Sequence, residues 1–333
     1  MTRFLQAVVQ LEFALATDSI AGGLYTVPFA GSFKCRLCKL CNGFGCKNEL
    51  PGMGGVNQNH NFILNCSAWG NFYEKNVCLH SKIDLISVST DDIGIAPVTG
   101  AMQNIGFENE SDFYLPYFTA AHNQGLSICV GDGAPDEKLQ FGIEAVFRLQ
   151  EKAHYFLKPY PDDILSMRIE KIVDTNGAYS IGMDIDAYNI VTMRNQVHLE
   201  RKSPYQLQDF RKKTNLPLSI KGVFTKADVE LCAEILPDII VVSNHGGRVQ
   251  TDEGSTAKFL ENYGGVLSGY CKELWVDGGI RTVRDIRVAK HLGAKKVLVA
   301  RPFIAALIEG GVPLMEKRIC EMTNAKNCTE NKL

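Results

Sequence analysis

From residue 90 onward the chain alternates between two patterns of apolar and polar positions. Short runs that are apolar on both faces occupy 93–97, 126–130, 154–160, 179–184, 216–221, 239–243, 274–277 and 296–300, and Gly, Pro, Asp or Asn follows. Runs of this kind read as parallel strands covered on both sides. The segments 113–123, 137–152, 162–174, 205–214, 226–236, 257–270, 283–292 and 303–308 have helical periodicity. In the 283–292 segment, Val283, Ile286, Val288, Ala289 and Leu292 share one face, while Arg284, Asp285, Arg287 and Lys290 share the other. Thr225 precedes Lys226-Ala227-Asp228 as an N-cap.

Eight strand–helix units in succession predict an α/β fold, a (β/α)8 TIM barrel, over residues 81–323. An open doubly wound sheet competes with it, but no Gly-x-Gly-x-x-Gly follows the first strand. Residues 1–80 read as a short N-terminal Cys/Gly-rich extension, and 324–333 as a tail. The longest connection within the repeat, 187–204, is polar, carries Arg194, Arg201 and Lys202, and reads as a lid over the barrel mouth.

Composition narrows the class of protein. The 333 residues are 45% apolar and 22% charged with a formal charge of −2, as in a globular protein with a sizeable core. That balance supplies no long-range field for nucleic acid or a membrane surface. No apolar run approaches the ~20 residues a membrane helix needs. Gln6, Gln10 and Glu12 interrupt the apolar stretch near the N-terminus, which argues against a signal peptide. The ending Asn331-Lys332-Leu333 differs from the peroxisomal Ser-Lys-Leu signal at its first residue. The eleven cysteines form no even disulfide ladder, so a reduced, cytoplasmic protein is expected.

Four of those cysteines, Cys35, Cys38, Cys41 and Cys46, fall within twelve residues. Their spacing is close to a ferredoxin-like Cys-x2-Cys-x2-Cys, but the last interval departs from it. Four clustered thiolates suit an iron–sulfur cluster or Zn. Reduced cysteines without metal are the competing reading.

A barrel of this type carries its active site at the C-terminal ends of its strands. Standing there are Pro97-Val98-Thr99, Gly131-Asp132-Gly133, Lys158 and Tyr160, Asp184 and Asp186, Lys221, Ser243–Arg248, Asp277–Arg281, and Ala300-Arg301. The loops after strands seven and eight are the usual phosphate site. Gly278 and Gly279 admit a phosphate to backbone N–H groups, and Arg281 and Arg301 supply charge. His245, between a buried strand and two glycines, suits a base near neutral pH, and Arg248 suits a bidentate carboxylate clamp. Together they fit abstraction of a proton next to a carboxylate. Asp186 can orient His245. Lys221 either faces a negative charge that develops during reaction or forms a Schiff base.

These residues carry a resemblance. Ser219-Ile-Lys-Gly-Val-Phe-Thr, Val242-Ser-Asn-His-Gly-Gly-Arg248, Val276-Asp-Gly-Gly-Ile-Arg281 and Val299-Ala-Arg-Pro-Phe303 resemble, in that order, the FMN-dependent α-hydroxy-acid oxidases and dehydrogenases. This group contains glycolate oxidase, lactate oxidase and flavocytochrome b2. The resemblance is close over 216–308 and weaker over 90–190, and the Cys-rich segment ending in Pro51-Gly-Met-Gly-Gly55 resembles a branch found in anaerobic bacteria.

The resemblance implies oxidation of a small 2-hydroxy acid, lactate- or glycolate-like, to the 2-oxo acid. FMN is the implied cofactor, and an electron carrier or O2 the implied acceptor. It makes His245 the base, Arg248 the carboxylate binder, Tyr160 the contact to the substrate hydroxyl and Asp186 the partner of the histidine. It sets Lys221 beside the flavin N1–O2 edge, Pro97-Val98-Thr99 near flavin N5 and Ser243 close to the flavin. Asp277 becomes the ribityl contact, and Gly279, Arg281, Ala300 and Arg301 the phosphate contacts. Homo-oligomers are among the expected states.

The chain departs from the family's usual pattern at three of these positions. Lys158 stands where Gln is usual, Asp184 where Thr is usual, and Gly131 where a Ser is found near the flavin. Lys158 and Asp184 either pair or reset the electrostatics of the flavin. An FMN-dependent isomerase of the type 2 isopentenyl-diphosphate kind and an inactive flavin- or metal-binding sensor are the alternatives.

Overall fold

The computed structural model describes residues 60–105, 107–190, 197–249 and 254–323. The Cys35–Cys46 cluster and the 324–333 tail lie outside the described residues, as does Arg194.

Eight parallel strands form one sheet: β1 (Ile93–Ile95), β2 (Cys129–Gly131), β3 (Ala153–Leu157), β4 (Ala178–Asp184), β5 (Leu218–Val223), β6 (Ile239–Val242), β7 (Glu273–Asp277) and β8 (Lys296–Val299). Pairing runs from β2 in sequence order to β8 and then to β1, where Ile93 opposes Val297. A parallel bridge between Gly94 and Ser127 joins β1 to the segment leading into β2 and closes the ring. The fold is the expected (β/α)8 barrel. Side chains on both faces of most strands are buried, which explains why the sequence shows apolar runs and no period of two.

A helix follows each strand. These are α2 (Tyr114–Asn123), α3 (Glu137–Arg148), α4 (Asp162–Val173), α5 (Pro204–Lys212), α6 (Lys226–Ile235), α7 (Thr256–Leu267), α8 (Val283–His291) and α9 (Arg301–Thr323), while α1 (His60–Lys75) precedes the barrel. Thr225 caps α6 and Thr282 caps α8, each accepting from the backbone N–H three residues on, with Asp228 and Asp285 bonding back. Pro204 at the start of α5 removes one N–H that would have no helical partner, and Ser203 accepts from Gln206 N.

Two segments need comment. The helical backbone that opens at Arg301 breaks close to the expected end at residue 308: Gly310 has φ −147° and Gly311 φ +68°, both non-helical. A further helical stretch beyond the break reaches Thr323 and buries Met315, Ile319 and Met322. The described part of the 187–204 connection is pinned down. Lys202, buried, bonds Asp162 on α4 at 2.6 Å and also pairs with Glu200, whose N–H donates to the Pro159 carbonyl.

Helix α1 packs beneath the loops after β6 and β7. Asn65 Nδ2 donates to Asn244 Oδ1 at 2.7 Å, and Asn65 Oδ1 accepts from Thr256 N at 2.9 Å. Trp69 Nε1 donates to the Gly278 carbonyl at 2.9 Å. No described helix is long and apolar enough to cross a membrane.

Candidate active site

One cavity opens at the C-terminal ends of the strands. Pro97, Val98 and Thr99 line it together with Lys158, Lys221, His245, Arg248, Asp277, Gly278, Gly279, Arg281, Ala300 and Arg301. Residues singled out from six separate stretches of sequence therefore meet around one space. Asp184, Asp186, Ser243, Tyr160 and Gly131 stand behind this lining. Gly131 serves close packing: a Cβ there would lie 2.5 Å from the Pro97 carbonyl oxygen, so the bare backbone lets the 97–99 segment approach β2.

His245 sits directly after β6 with φ +51°, a left-handed backbone uncommon for a residue other than glycine. Gly246 and Gly247 continue the turn with φ +63° and +90°. Such a turn holds backbone strain of about 1–3 kcal/mol, and buried contacts retain it. Asn244 secures it by accepting from Gly247 N at 2.9 Å while Asn65 holds the Asn244 side chain. Gly247 has no room for a Cβ, which would lie 2.5 Å from Phe62 N.

His245 Nδ1 lies 2.7 Å from Asp186 Oδ2. On its other side, Nε2 lies 3.3 Å from Asp184 Oδ2 and 3.4 Å from Lys221 Nζ. Asp186 reaches the histidine across β5 because Gly222 leaves space: a Cβ at Gly222 would lie 2.1 Å from Asp186 Oδ1. Gly222 has φ +92° and sits at a register shift between β5 and β6.

Beneath the histidine lies a buried charge network. Asp184 Oδ2 lies 2.5 Å from Lys158 Nζ, and Oδ1 lies 3.1 Å from Lys221 Nζ. Lys221 also faces Asp277 Oδ2 at 3.6 Å. Burial alone would raise the Asp184 carboxyl, but Lys158, Lys221 and His245 outweigh it and hold the group well below the usual carboxylate range. Burial alone would discharge Lys221, but Asp184, Asp277 and Asp186 reverse that and raise it. Asp277 is raised, since its burial outweighs Lys221.

A second network fixes the β2–β3 side. Asp132 accepts from Arg168 at 2.5 Å, from Gly133 N at 2.7 Å and from Lys158 N at 3.1 Å. Burial pushes the Asp132 carboxyl up to about 6 against the pull of Arg168. The Arg168 guanidinium also stacks on the Tyr160 ring, 4.3 Å from its centroid, and Tyr160 Oη is buried without a protein partner.

Sequence reasoning missed Asn65, Phe62, Trp69 and Arg168. Arg168 lies mid-helix, where an arginine normally marks a solvated face. The α1 residues lie before the repeat. The pattern Gly131-Asp132-Gly133 at a strand end was the one local signal for Asp132, since an acid between two glycines suits a buried turn.

The fold and the site define a class: a TIM barrel with a glycine–arginine wall after β7 and β8 and a histidine–carboxylate–lysine cluster beside it. The sequence profile of the family described as FMN-dependent dehydrogenase matches residues 149–324, more than half of the chain, and the chain belongs to that family. Among curated relatives, 2-hydroxyacid oxidase 2 of Bos taurus is 39% identical over 102 residues, 31% of this chain and 29% of the relative. The 4-hydroxymandelate oxidase of Amycolatopsis orientalis is 40% identical over 101 residues, 30% of this chain and 28% of the relative. The matched stretch thus spans less than a third of the length of these relatives. A crystal structure of mandelate oxidase with benzoyl-formic acid aligns over 84% of this chain and 90% of that one, with a TM-score of 0.62 and 22% identity, a likeness of fold.

Proposed function

We propose that this chain binds FMN and oxidises a small 2-hydroxy acid, lactate- or glycolate-like, to the 2-oxo acid, with an electron carrier or O2 as acceptor. The observation that carries the reading is His245, held by Asp186 at 2.7 Å, on the wall of the same cavity as Arg248 and Lys221. The residues present fit the cofactor. Gly278 and Gly279, with φ +92° and +78°, bring bare backbone to the cavity wall next to Arg281 and Arg301. Asp277 Oδ1 is a buried acceptor without a protein partner, suited to a polyol hydroxyl. FMN, when bound, supplies the two-electron acceptor.

In this reading Arg248 grips the substrate carboxylate and Tyr160 faces its hydroxyl. His245 Nε2 takes up the substrate proton, while Asp186 fixes the tautomer and supports the charge that the imidazole gains. Lys221 and Lys158 offset negative charge gained in the cavity. Arg281, Arg301 and the backbone at Gly278, Gly279 and Ala300 hold the phosphate, while Pro97, Val98, Thr99 and Ser243 border the ring system. A cytoplasmic, homo-oligomeric protein completes the proposal. The isomerase and sensor readings are less favoured, because relatives in this family carry hydroxy-acid oxidase names.

The test is anaerobic mixing of the FMN-loaded protein with a panel of 2-hydroxy acids. Bleaching of the flavin absorbance by one of them is expected. His245→Gln should retain FMN and lose the bleaching. Normal bleaching in that variant removes His245 as the base. A bound flavin that no hydroxy acid reduces overturns the activity.

A further inference from the structure

Asp184 is nearly inaccessible, at 1% exposure, and contacts three charged or titratable groups from three different strand ends. It accepts from Lys158 at the end of β3 at 2.5 Å, forms an ion pair with Lys221 of β5 at 3.1 Å, and approaches His245 after β6 at 3.3 Å. The two lysines line the cavity, while the carboxylate lies behind them. The cavity therefore presents two ammonium groups backed by Asp184, with Asp277 also in its lining, 3.6 Å from Lys221. A lone Lys221 there would carry the same net charge, so the Lys158–Asp184 pair changes how charge is arranged and leaves its sum unaltered. Buried charge pairs of this kind contribute little net stability, because desolvation offsets their attraction. Their field in a low-dielectric cavity is strong.

We infer that Asp184 tunes the redox cofactor of this cavity: seated between Lys158 and Lys221, its carboxylate offsets part of their positive field and lowers the reduction potential of bound FMN, while Lys158 raises it. The inference rests on the FMN reading above. Two-electron reduction with uptake of one proton adds one negative charge to the cofactor. Ammonium groups on the cavity face favour that change, and a carboxylate behind them opposes it. Removing the carboxylate leaves Lys158 without its acidic partner and Lys221 with Asp277 alone, 3.6 Å away. Removing Lys158 leaves Asp184 shared only by Lys221 and His245.

The test is the midpoint potential of the FMN-loaded protein, equilibrated against a reference dye, together with titration of the flavin by sulfite, whose adduct is also anionic. Asp184→Asn is expected to favour the reduced form by at least tenfold, about 30 mV for a two-electron couple, and to tighten sulfite binding. Lys158→Gln is expected to move both readouts by a similar factor in the opposite direction. The double variant Lys158→Gln/Asp184→Thr should fall between the two.

A purely structural role weakens folding or FMN retention in both single variants without shifts of opposite sign. Potentials within twofold of wild type in FMN-loaded Asp184→Asn, or in Lys158→Gln where the first variant does not fold, overturn this inference and leave the FMN reading standing. A folded wild-type protein that takes up no FMN overturns both.

Discussion

Asn65 and Asn244 lie 179 residues apart in the chain and exchange a buried side-chain hydrogen bond, Asn65 Nδ2 donating to Asn244 Oδ1 at 2.7 Å. The bond ties helix α1 to the residue that precedes His245, and the same Asn65 side chain accepts from Thr256 N. Removing it leaves the buried Thr256 N–H without its acceptor and takes one donor from Asn244 Oδ1, which keeps Gly247 N. Asn65→Ala should therefore cost roughly 1–3 kcal/mol of stability, measured by urea unfolding. A midpoint equal to that of wild type would show that α1 does not brace the histidine loop.

Asp186 holds His245 through Nδ1 at 2.7 Å, and Nε2 lies beside Asp184 and Lys221. Asp186→Asn keeps the size of the side chain and removes its charge. The anaerobic reduction rate should fall by roughly 100- to 10,000-fold while FMN binding is retained. Stopped-flow absorbance of the loaded protein measures the rate, and an unchanged value places the support of the imidazole elsewhere.

Gly279 has φ +78°, and a Cβ there would sit 1.9 Å from the Asn65 carbonyl oxygen. Gly279→Ala should cost roughly 2–4 kcal/mol through strain and backbone displacement and weaken FMN retention. Gly265, exposed near the C-terminal end of α7 with nothing within 4 Å of an added Cβ, is the control. Gly265→Ala should stabilise by about 0.4–1 kcal/mol. Thermal unfolding of the two variants side by side tests the contrast.

His154 at the start of β3 is largely buried, with Nδ1 2.8 Å from Ser180 Oγ. Burial, helped by Lys296, pushes the imidazole down from its usual 6.5 to about 4. The folded protein thus binds fewer protons than the unfolded chain between those values, and stability falls as pH drops through that window. The full contribution is on the order of 3 kcal/mol.

Asp132, raised to about 6, acts with opposite sign in much of the same range, so the total curve mixes the two. The difference between wild type and His154→Gln isolates the histidine. Wild type should lose stability relative to the variant between pH 7 and pH 4.5, measured by denaturant unfolding at both pH values. A difference that does not change with pH would show that His154 titrates normally.

Much of this protein is legible in sequence because its signals are local. The strands of a parallel barrel are buried on both faces, so runs such as 239–242 and 296–299 stand out as apolar and short. Thr225 and Thr282 announce their helices three residues ahead. The glycines around His245 and those after β7 sit at strand ends, where the barrel concentrates its chemistry. Fold class, the glycine–arginine wall and the His245–Arg248 pairing follow from such features.

The tertiary structure decided what depends on distance through space. Nothing local ties Asn65 to Asn244 or Arg168 to Asp132 and Tyr160, because the folded barrel alone brings their elements together. Lys158 and Asp184 each depart from the residue usual in the family, but the sequence leaves open whether they pair or reset the electrostatics of the flavin. Closing the barrel sets β4 between β3 and β5, so one carboxylate meets two lysines, and that adjacency, which no spacing along the chain encodes, made them a single charged unit.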